Sequence, residues 1–358
     1  MRSKEFYKNK RVLVTGHTGF KGTWLCKMLL SMGAVVCGYA KEPTEEQILF
    51  QISGIEEKIE NVYGDVRDLQ HIQQVMQAFQ PEIVFHLAAQ PIVRESYRNP
   101  VDTYSTNVMG TVNVLEAIRY CKSVKSVVNV TTDKVYENQE TTRAYVETDR
   151  LDGYDPYSNS KSCSELVTNS YKKCFLQPEQ VAVSTCRAGN VIGGGDFSKD
   201  RIIPDCFRAV KNGEKIVLRN PNSVRPYQHV LDPLAAYLQV AQMQFENRLR
   251  YEGAYNIGPN QEDNVTTGEL ADLFCEEWGN GASWECHEEV KAVHEAGLLY
   301  LDCTKFKQTM GWQPVWNIKN TIQKTVEWYM EYVSGNDVAA CMDKQIVEFY
   351  EEVSYEVS

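Results

Sequence analysis

The stretch that most restricts this chain is Val12 to Gly22, Val-Leu-Val-Thr-Gly-His-Thr-Gly-Phe-Lys-Gly, an apolar run that breaks into three glycines spaced three residues apart. A run this short suits a buried parallel strand and not a helix. Gly16 permits a turn that a Cβ would obstruct. Gly19 lets backbone approach a pyrophosphate, and Gly22 lets the following helix, Thr23 to Met32, pack tightly on the strand. Free N–H groups at that helix start, with the positive end of its dipole, make an anion site. Strand, glycine turn and helix in this order predict an α/β fold built on a doubly wound parallel sheet.

The rest of the chain continues that alternation. Ala34 to Tyr39 is a second apolar strand, beyond whose end an adenosine ribose would lie. An acid is expected there for NAD, but the chain offers Ala40, Lys41 and Glu42, so the residues leave NAD and NADP both open. Asn61 to Val66 reads as a third strand, whose Asp65 would either accept from an adenine amino group or cap the helix Leu69 to Phe79. Glu82 to Ala89 is the fourth strand and ends in small residues that let a cofactor lie against the backbone, with His86 inside it as a core residue. Val101 to Arg119 has helical periodicity and carries Asn107, a polar group that can brace a site from beneath. The fifth strand, Ser126 to Val130, opens into Thr131-Thr132-Asp133-Lys134, hydroxyls, an acid and a base at a strand's carboxyl end, where ligands bind in such sheets.

Tyr157 and Lys161 follow just after Pro156, a favourable first-turn residue. Their i, i+4 spacing puts both on one helix face, where an ammonium stabilises a phenolate. Val181 to Cys186 is the sixth strand. The glycine-rich Gly189 to Gly195 after it cannot be regular structure and leads into a smaller C-terminal α/β lobe. Arg201, Arg219, Arg225 and His229 gather donors within a short span, as binding two phosphates requires. Leu231 to Phe245 and the strand Gly253 to Ile257 return to the first unit. The resulting division is a nucleotide-binding unit over 1–188 with 229–258 returning to it, a substrate lobe over 189–228 and 259–335, and a tail over 336–358 with no assigned role.

A net charge of −11 over 358 residues argues against nucleic acid or an anionic membrane as partner, so an anionic substrate must meet a local cluster of Arg or Lys. No apolar run is long enough to span a bilayer, and the polar, basic start predicts no secretory signal. Eleven cysteines without a CxxC pair or metal-like spacing read as reduced thiols of a cytoplasmic protein with no metal site.

These residues resemble the extended short-chain dehydrogenase/reductase family, whose TGxxGxxG turn matches Thr15 to Gly22 and whose YxxxK matches Tyr157 to Lys161. The resemblance runs essentially end to end and implies a Rossmann-type sheet. Within the family, 4-epimerases carry a small residue after the catalytic hydroxyl, whereas 4,6-dehydratases carry an Asp, as Asp133 does here. Dehydratases for dTDP-glucose and GDP-mannose follow that Asp with Glu; this chain has Lys134. The Asp-Lys pair, the GHTGFKG turn, Arg187-Ala-Gly-Asn-Val-Ile-Gly-Gly-Gly-Asp196 and Arg219-Asn-Pro-Asn-Ser-Val-Arg-Pro-Tyr-Gln-His-Val230 are similar to the branch acting on CDP-glucose. Thr132 where Ser is usual, and Tyr227 where Trp is usual, depart from that branch but keep hydroxyl for hydroxyl and aromatic for aromatic.

The resemblance implies NAD as cofactor, held by Gly16, Thr18, Gly19, Phe20, Lys21 and Gly22, by Asp65 and Val66, and by Leu87, Ala88 and Ala89. Asn107, Thr131, Tyr157 and Lys161 complete that set. It places Asn190 near the sugar diphosphate with Arg201, Arg219, Arg225 and His229, and implies a homodimer through helices near Val101 to Arg119 and Tyr157 to Lys172. The implied reaction oxidises C4 with Tyr157, Lys161 and Thr132, removes the C5 proton with neutral Lys134, and expels the 6-hydroxyl with protonated Asp133. The product would be a 4-keto-6-deoxy sugar nucleotide, a precursor of deoxy sugars in bacterial surface polysaccharide. A 4-epimerase would need no acid at Asp133, and a non-catalytic NAD-sensing protein would be expected to lose Tyr157 or Lys161.

Overall fold

In the computed structural model, which describes residues 2–287 and 298–356, the first apolar run is the strand β1 (Arg11–Thr15). It lies near the middle of a seven-stranded sheet with β2 (Val35–Ala40), β3 (Glu60–Tyr63), β4 (Ile83–His86), β5 (Ser126–Val130), β6 (Ala182–Ala188) and β7 (Ala254–Ile257). The order is β3-β2-β1-β4-β5-β6-β7, and every pairing is parallel. Parallel strands need crossovers that cover both faces, so the inner strands β4, β5 and β6 are buried along their whole length while the edge strand β3 stays partly exposed. Val12 and Val14 enter the core layer beneath the helices Phe20–Ser31 and Leu231–Glu246. Leu13 points to the opposite layer, with Ile72 and Val75 of the helix Leu69–Phe79 and Val114 and Ile118 of the helix Gly110–Arg119.

The glycine turn is sterically compelled at two positions. Gly16 has φ +74°, and a Cβ on it would stand 2.8 Å from the Ala88 nitrogen. A Cβ on Gly22 would stand 2.1 Å from the Gly16 carbonyl oxygen, so turn and helix can meet only at glycine. Gly22→Ala is therefore expected to cost about 1–3 kcal/mol by overpacking and to lower the melting temperature by several degrees in a thermal scan.

Boundaries differ from the sequence reading in informative places. A helix Arg2–Tyr7 precedes β1, and the helix after the glycine turn starts at Phe20, three residues earlier than expected, because Gly19 serves as an N-cap without a side chain and leaves the first N–H groups open. The Val101 to Arg119 helix is two helices, Pro100–Tyr104 and Gly110–Arg119, joined by a π turn at Ser105–Met109 that contains Asn107. Gly189 to Gly195 is not wholly irregular, since Val191–Ile192 pairs in parallel with Gln228–His229. Two further short pairs, Val224–Arg225 with Val265–Thr266 and Ile216–Leu218 with Trp284–Cys286, carry the segments beyond the main sheet. The C-terminal helix Val338–Glu356 adds Cys341, Met342, Ile346 and Phe349 to the larger core layer.

Candidate active site

The parallel strands β1, β4, β5 and β6 end on one edge of the sheet, and the helix Pro156–Tyr171 follows β5 with Asp155 as its cap, accepting from the Ser158 N–H. Pro156 fixes the first turn, and the next residue is Tyr157, buried at 8% exposure. Burial pushes the Tyr157 phenol up to about 12, while the Thr132 hydroxyl and the Arg201 guanidinium favour the phenolate. Lys161 donates to the Val130 carbonyl at 3.1 Å, and burial lowers its ammonium to about 8 against the opposing pull of Glu165. Thr132 caps the short turn Asp133–Val135 and donates to Asp133 Oδ1 at 2.9 Å.

Asp133 is almost wholly enclosed, and its Oδ2 has no hydrogen-bond partner among the described residues. That oxygen would lie 3.4 Å from a Cβ on Gly189, a position where a side chain would also collide with Pro226. Lys134 Nζ stands 3.4 Å from Asp133 Oδ1 and 3.3 Å from Asn190 Oδ1. Thr132, Asp133, Lys134, Tyr157 and Asn190 thus meet in one place. Lys21 joins them, a role its position in the turn did not suggest: burial, with the cations Arg201, Lys161 and Lys134, lowers its ammonium to about 7.

The residues expected around a dinucleotide fall into two groups. Gly16, Thr18, Gly19, Phe20 and Gly22 form the open helix start, and Leu87, Ala88 and Ala89 follow β4, with Leu87 and Ala88 N–H groups held by the Thr15 hydroxyl at 3.2 Å. An uncapped helix N-terminus beside backbone that tolerates no Cβ fits the diphosphate of such a cofactor. Asp65 is not the helix cap; Asp68 is, accepting from the His71 N–H. Asp65 instead holds Arg67 and Lys41 at 2.6 and 3.3 Å, and those cations keep its carboxyl at about 2, below its ordinary range. Val66 sits behind it, accepting from Asn113 through its carbonyl.

Two other members of that set are spent on buried partners within the protein. Asn107 spends its amide on Gln90 N–H, Gln90 carbonyl and the Ser160 hydroxyl, which ties the loop after β4 to the helix Pro156–Tyr171. Thr131 donates to Glu165 at 2.6 Å. His86 is a core residue between the Thr15 and Thr111 hydroxyls, held neutral because burial lowers it to about 3.

Among the diphosphate candidates, Arg201 pairs with Asp196 at 2.8 Å and acts on Tyr157. Arg219 lies 3.5 Å from Asp200, and Arg225 is buried on a short strand, donating to the Val224 carbonyl. His229 must be corrected. It is fully buried, its ring 4.6 Å from Trp316 and 6.2 Å from Trp24. Its Nδ1 accepts from the Leu231 N–H, and burial keeps it neutral by lowering it to about 3, so it offers no charge to a phosphate. Sequence reasoning missed Arg94, whose Nε reaches to 3.8 Å from Asp200, and Glu165, whose only signal was its place one turn beyond Lys161. Among the described residues no His, Cys, Asp or Glu cluster could hold a metal ion, and no helix is long and apolar enough to cross a membrane.

The family model for GDP-mannose 4,6 dehydratases matches residues 13–325. The chain belongs to the GDP-mannose 4,6 dehydratase family. A CDP-glucose 4,6-dehydratase of Salmonella typhimurium is 44% identical over 354 residues, covering 98% of each chain. Among solved structures, a UDP-glucose 4-epimerase of Thermus thermophilus in complex with NAD is similar with a TM-score of 0.77 at 25% identity, covering 89% of this chain and 99% of its own. A dTDP-glucose 4,6-dehydratase of Bacillus anthracis, also in complex with NAD, has the same fold with a TM-score of 0.77 at 24% identity, covering 92% and 99%.

Proposed function

We propose that the protein converts CDP-D-glucose to CDP-4-keto-6-deoxy-D-glucose and water, using NAD that it holds through the whole cycle. The observation that carries this reading is the Thr132-Asp133-Lys134 segment at the end of β5 set against Tyr157, because a hydroxyl alone serves oxidation at C4 whereas elimination also needs an acid and a base. The near-half identity to a relative named as a CDP-glucose 4,6-dehydratase supports the sugar nucleotide. When bound at the open helix start, NAD supplies the hydride acceptor for C4 and the hydride later delivered to C6, and its positive charge favours the Tyr157 phenolate.

The chain's own residues move the protons. Tyr157 takes the proton of the 4-hydroxyl, with Lys161 and Thr132 stabilising the phenolate. The ketone so formed acidifies the C5 hydrogen. Lys134 removes it and returns it to C5 once the hydride has reached C6, while Asp133 protonates the departing 6-oxygen, which leaves as water, and regains a proton from Tyr157 by way of the Thr132 hydroxyl. Lys134 Nζ and Asp133 Oδ1 stand 3.4 Å apart, so a base and an acid reach neighbouring carbons of one sugar. Arg201, Arg219 and Arg225 meet the diphosphate, and Asn190 orients Lys134.

We read the segments 189–228 and 259–335 as the substrate lobe. A homodimer would cover the apolar groove of Pro100, Val101, Tyr104, Val108, Met109 and Cys163, where Val101 is 81% and Met109 51% exposed. All eleven cysteines are unpaired, which suits the cytoplasm.

Turnover is expected to depend on Lys161 remaining charged. Burial lowers that ammonium to about 8, so it is present below this pH and is lost above it, and the rate should fall along an alkaline limb near pH 8. A pH profile of 4-keto product formation checks the limb. The sugar nucleotide is tested by incubating the protein with NAD and, separately, CDP-glucose, dTDP-glucose and GDP-mannose. The 4-keto product should form fastest from CDP-glucose; equal rates from dTDP-glucose would remove the CDP assignment.

A further inference from the structure

One helical turn beyond Lys161, Glu165 is 4% exposed, and both of its oxygens are fully engaged. Oε1 accepts from the Thr131 hydroxyl at 2.6 Å and from Arg187 Nε at 2.9 Å; Oε2 accepts from the Thr185 hydroxyl at 2.7 Å and from Arg187 Nη2 at 2.9 Å. Arg187, 3% exposed, sends its remaining Nη1 to the Tyr136 hydroxyl at 2.9 Å and the Glu147 carbonyl at 3.0 Å. This is a two-pronged ion pair with both planes fixed. It joins the helix that carries Tyr157 and Lys161 to the residue bonded directly to Thr132 and to β6.

A buried pair of this kind is a poor stability device, since apolar replacements of similar volume are often neutral or better. What it does here is geometric and electrostatic. Thr131 cannot shift without breaking its bond to Glu165, and Thr132, Asp133 and Lys134 follow it in the chain. We propose that Glu165, held by Arg187, is a positioning residue for the reaction. It fixes the hydroxyl, acid and amine against the Tyr157 phenol and supplies the negative charge that keeps Lys161 an ammonium. This rests on the roles given above to Tyr157 and Lys161.

The groups around Lys161 make that charge matter. Lys21 from the helix after β1 repels it. His86 from β4 is neutral. Tyr157 lies on the same helix face, Asp133 stands with Lys134, and Arg187 lies behind Glu165. Glu165 is the group that opposes the lowering of Lys161 by burial.

The test compares pH profiles of 4-keto product formation for the full-length protein with NAD and CDP-glucose, in wild type, Glu165→Asp, Glu165→Gln and the double variant Glu165→Leu with Arg187→Met. The double variant leaves no uncompensated buried charge, and so guards against a Glu165→Gln protein that does not fold. Loss of the carboxylate, in Glu165→Gln or in the double variant, should move the alkaline limb to lower pH by about one unit. It should also cut the rate at the optimum by about tenfold to a hundredfold. Glu165→Asp keeps the charge on a shorter arm, so its limb should stay in place while its rate falls. A folded charge-free variant with the wild-type limb and rate would make the pair merely structural and overturn the proposal. Absence of 4-keto product from wild type would instead overturn the proposed function, which separates the two failures.

Discussion

Tyr157→Phe is expected to lower the rate of hydride removal from C4 by about a hundred- to ten-thousand-fold, equivalent to about 3–5 kcal/mol of barrier. The ring is buried and its packing survives the change, so the fold and the affinity for the sugar nucleotide should be nearly unaltered. What is lost is the proton acceptor for the 4-hydroxyl, placed beside Thr132 and near the Arg201 charge. Rapid mixing with CDP-glucose, followed by the absorbance of reduced nicotinamide, reads that step in isolation. A variant that reduced its nicotinamide at the wild-type rate would make Tyr157 a structural tyrosine.

The second large effect divides elimination from oxidation. Neither Asp133 nor Lys134 takes part in the first step, so variants at either position should accumulate reduced nicotinamide and a trapped 4-ketohexose. Lys134→Met should abolish loss of the C5 proton. Asp133→Asn should retain that loss but slow departure of the 6-hydroxyl by about a hundredfold or more. Exchange of the C5 hydrogen with deuterated water, measured in each variant, separates the roles. Full exchange in Lys134→Met would show that Lys134 only pairs with Asp133 and Asn190, contacts it makes at 3.4 and 3.3 Å, and that another group is the base. Lys21, with its ammonium lowered to about 7 in the same cluster, would be the first to examine.

How much of this was legible in the sequence depended on whether a residue's role was local. The strands β1, β2, β4, β5 and β6 read directly because parallel strands covered on both faces are short and mainly apolar, although β6 also buries Ser184, Thr185 and Arg187. The Tyr157 and Lys161 pair read directly because helix periodicity alone puts them on one face. Asp133 and Lys134 depended on the resemblance to dehydratases, since adjacency in sequence says nothing about which carboxylate oxygen stays unpartnered. His229 was misread for a physical reason. It follows Arg225 by four residues and reads with it as a donor, but Trp24 and Trp316 arrive from distant segments to enclose it. Glu165 was missed because its value lies in Thr131, Thr185 and Arg187, and only the assembled sheet brings them together. The choice between NAD and NADP was not legible at Lys41, and the structure shows why: Asp65 occupies the lysine's charge at 3.3 Å.

The fate of the hydrogen at C4 separates dehydration from epimerisation. CDP-glucose carrying deuterium at C4 should be converted, by protein loaded with unlabelled NAD, to a product that has lost one water and carries the deuterium at C6, as read by mass spectrometry and proton NMR. Recovery of an isomeric CDP-hexose that has lost no water, with deuterium still at C4, would contradict dehydration and make the protein a 4-epimerase.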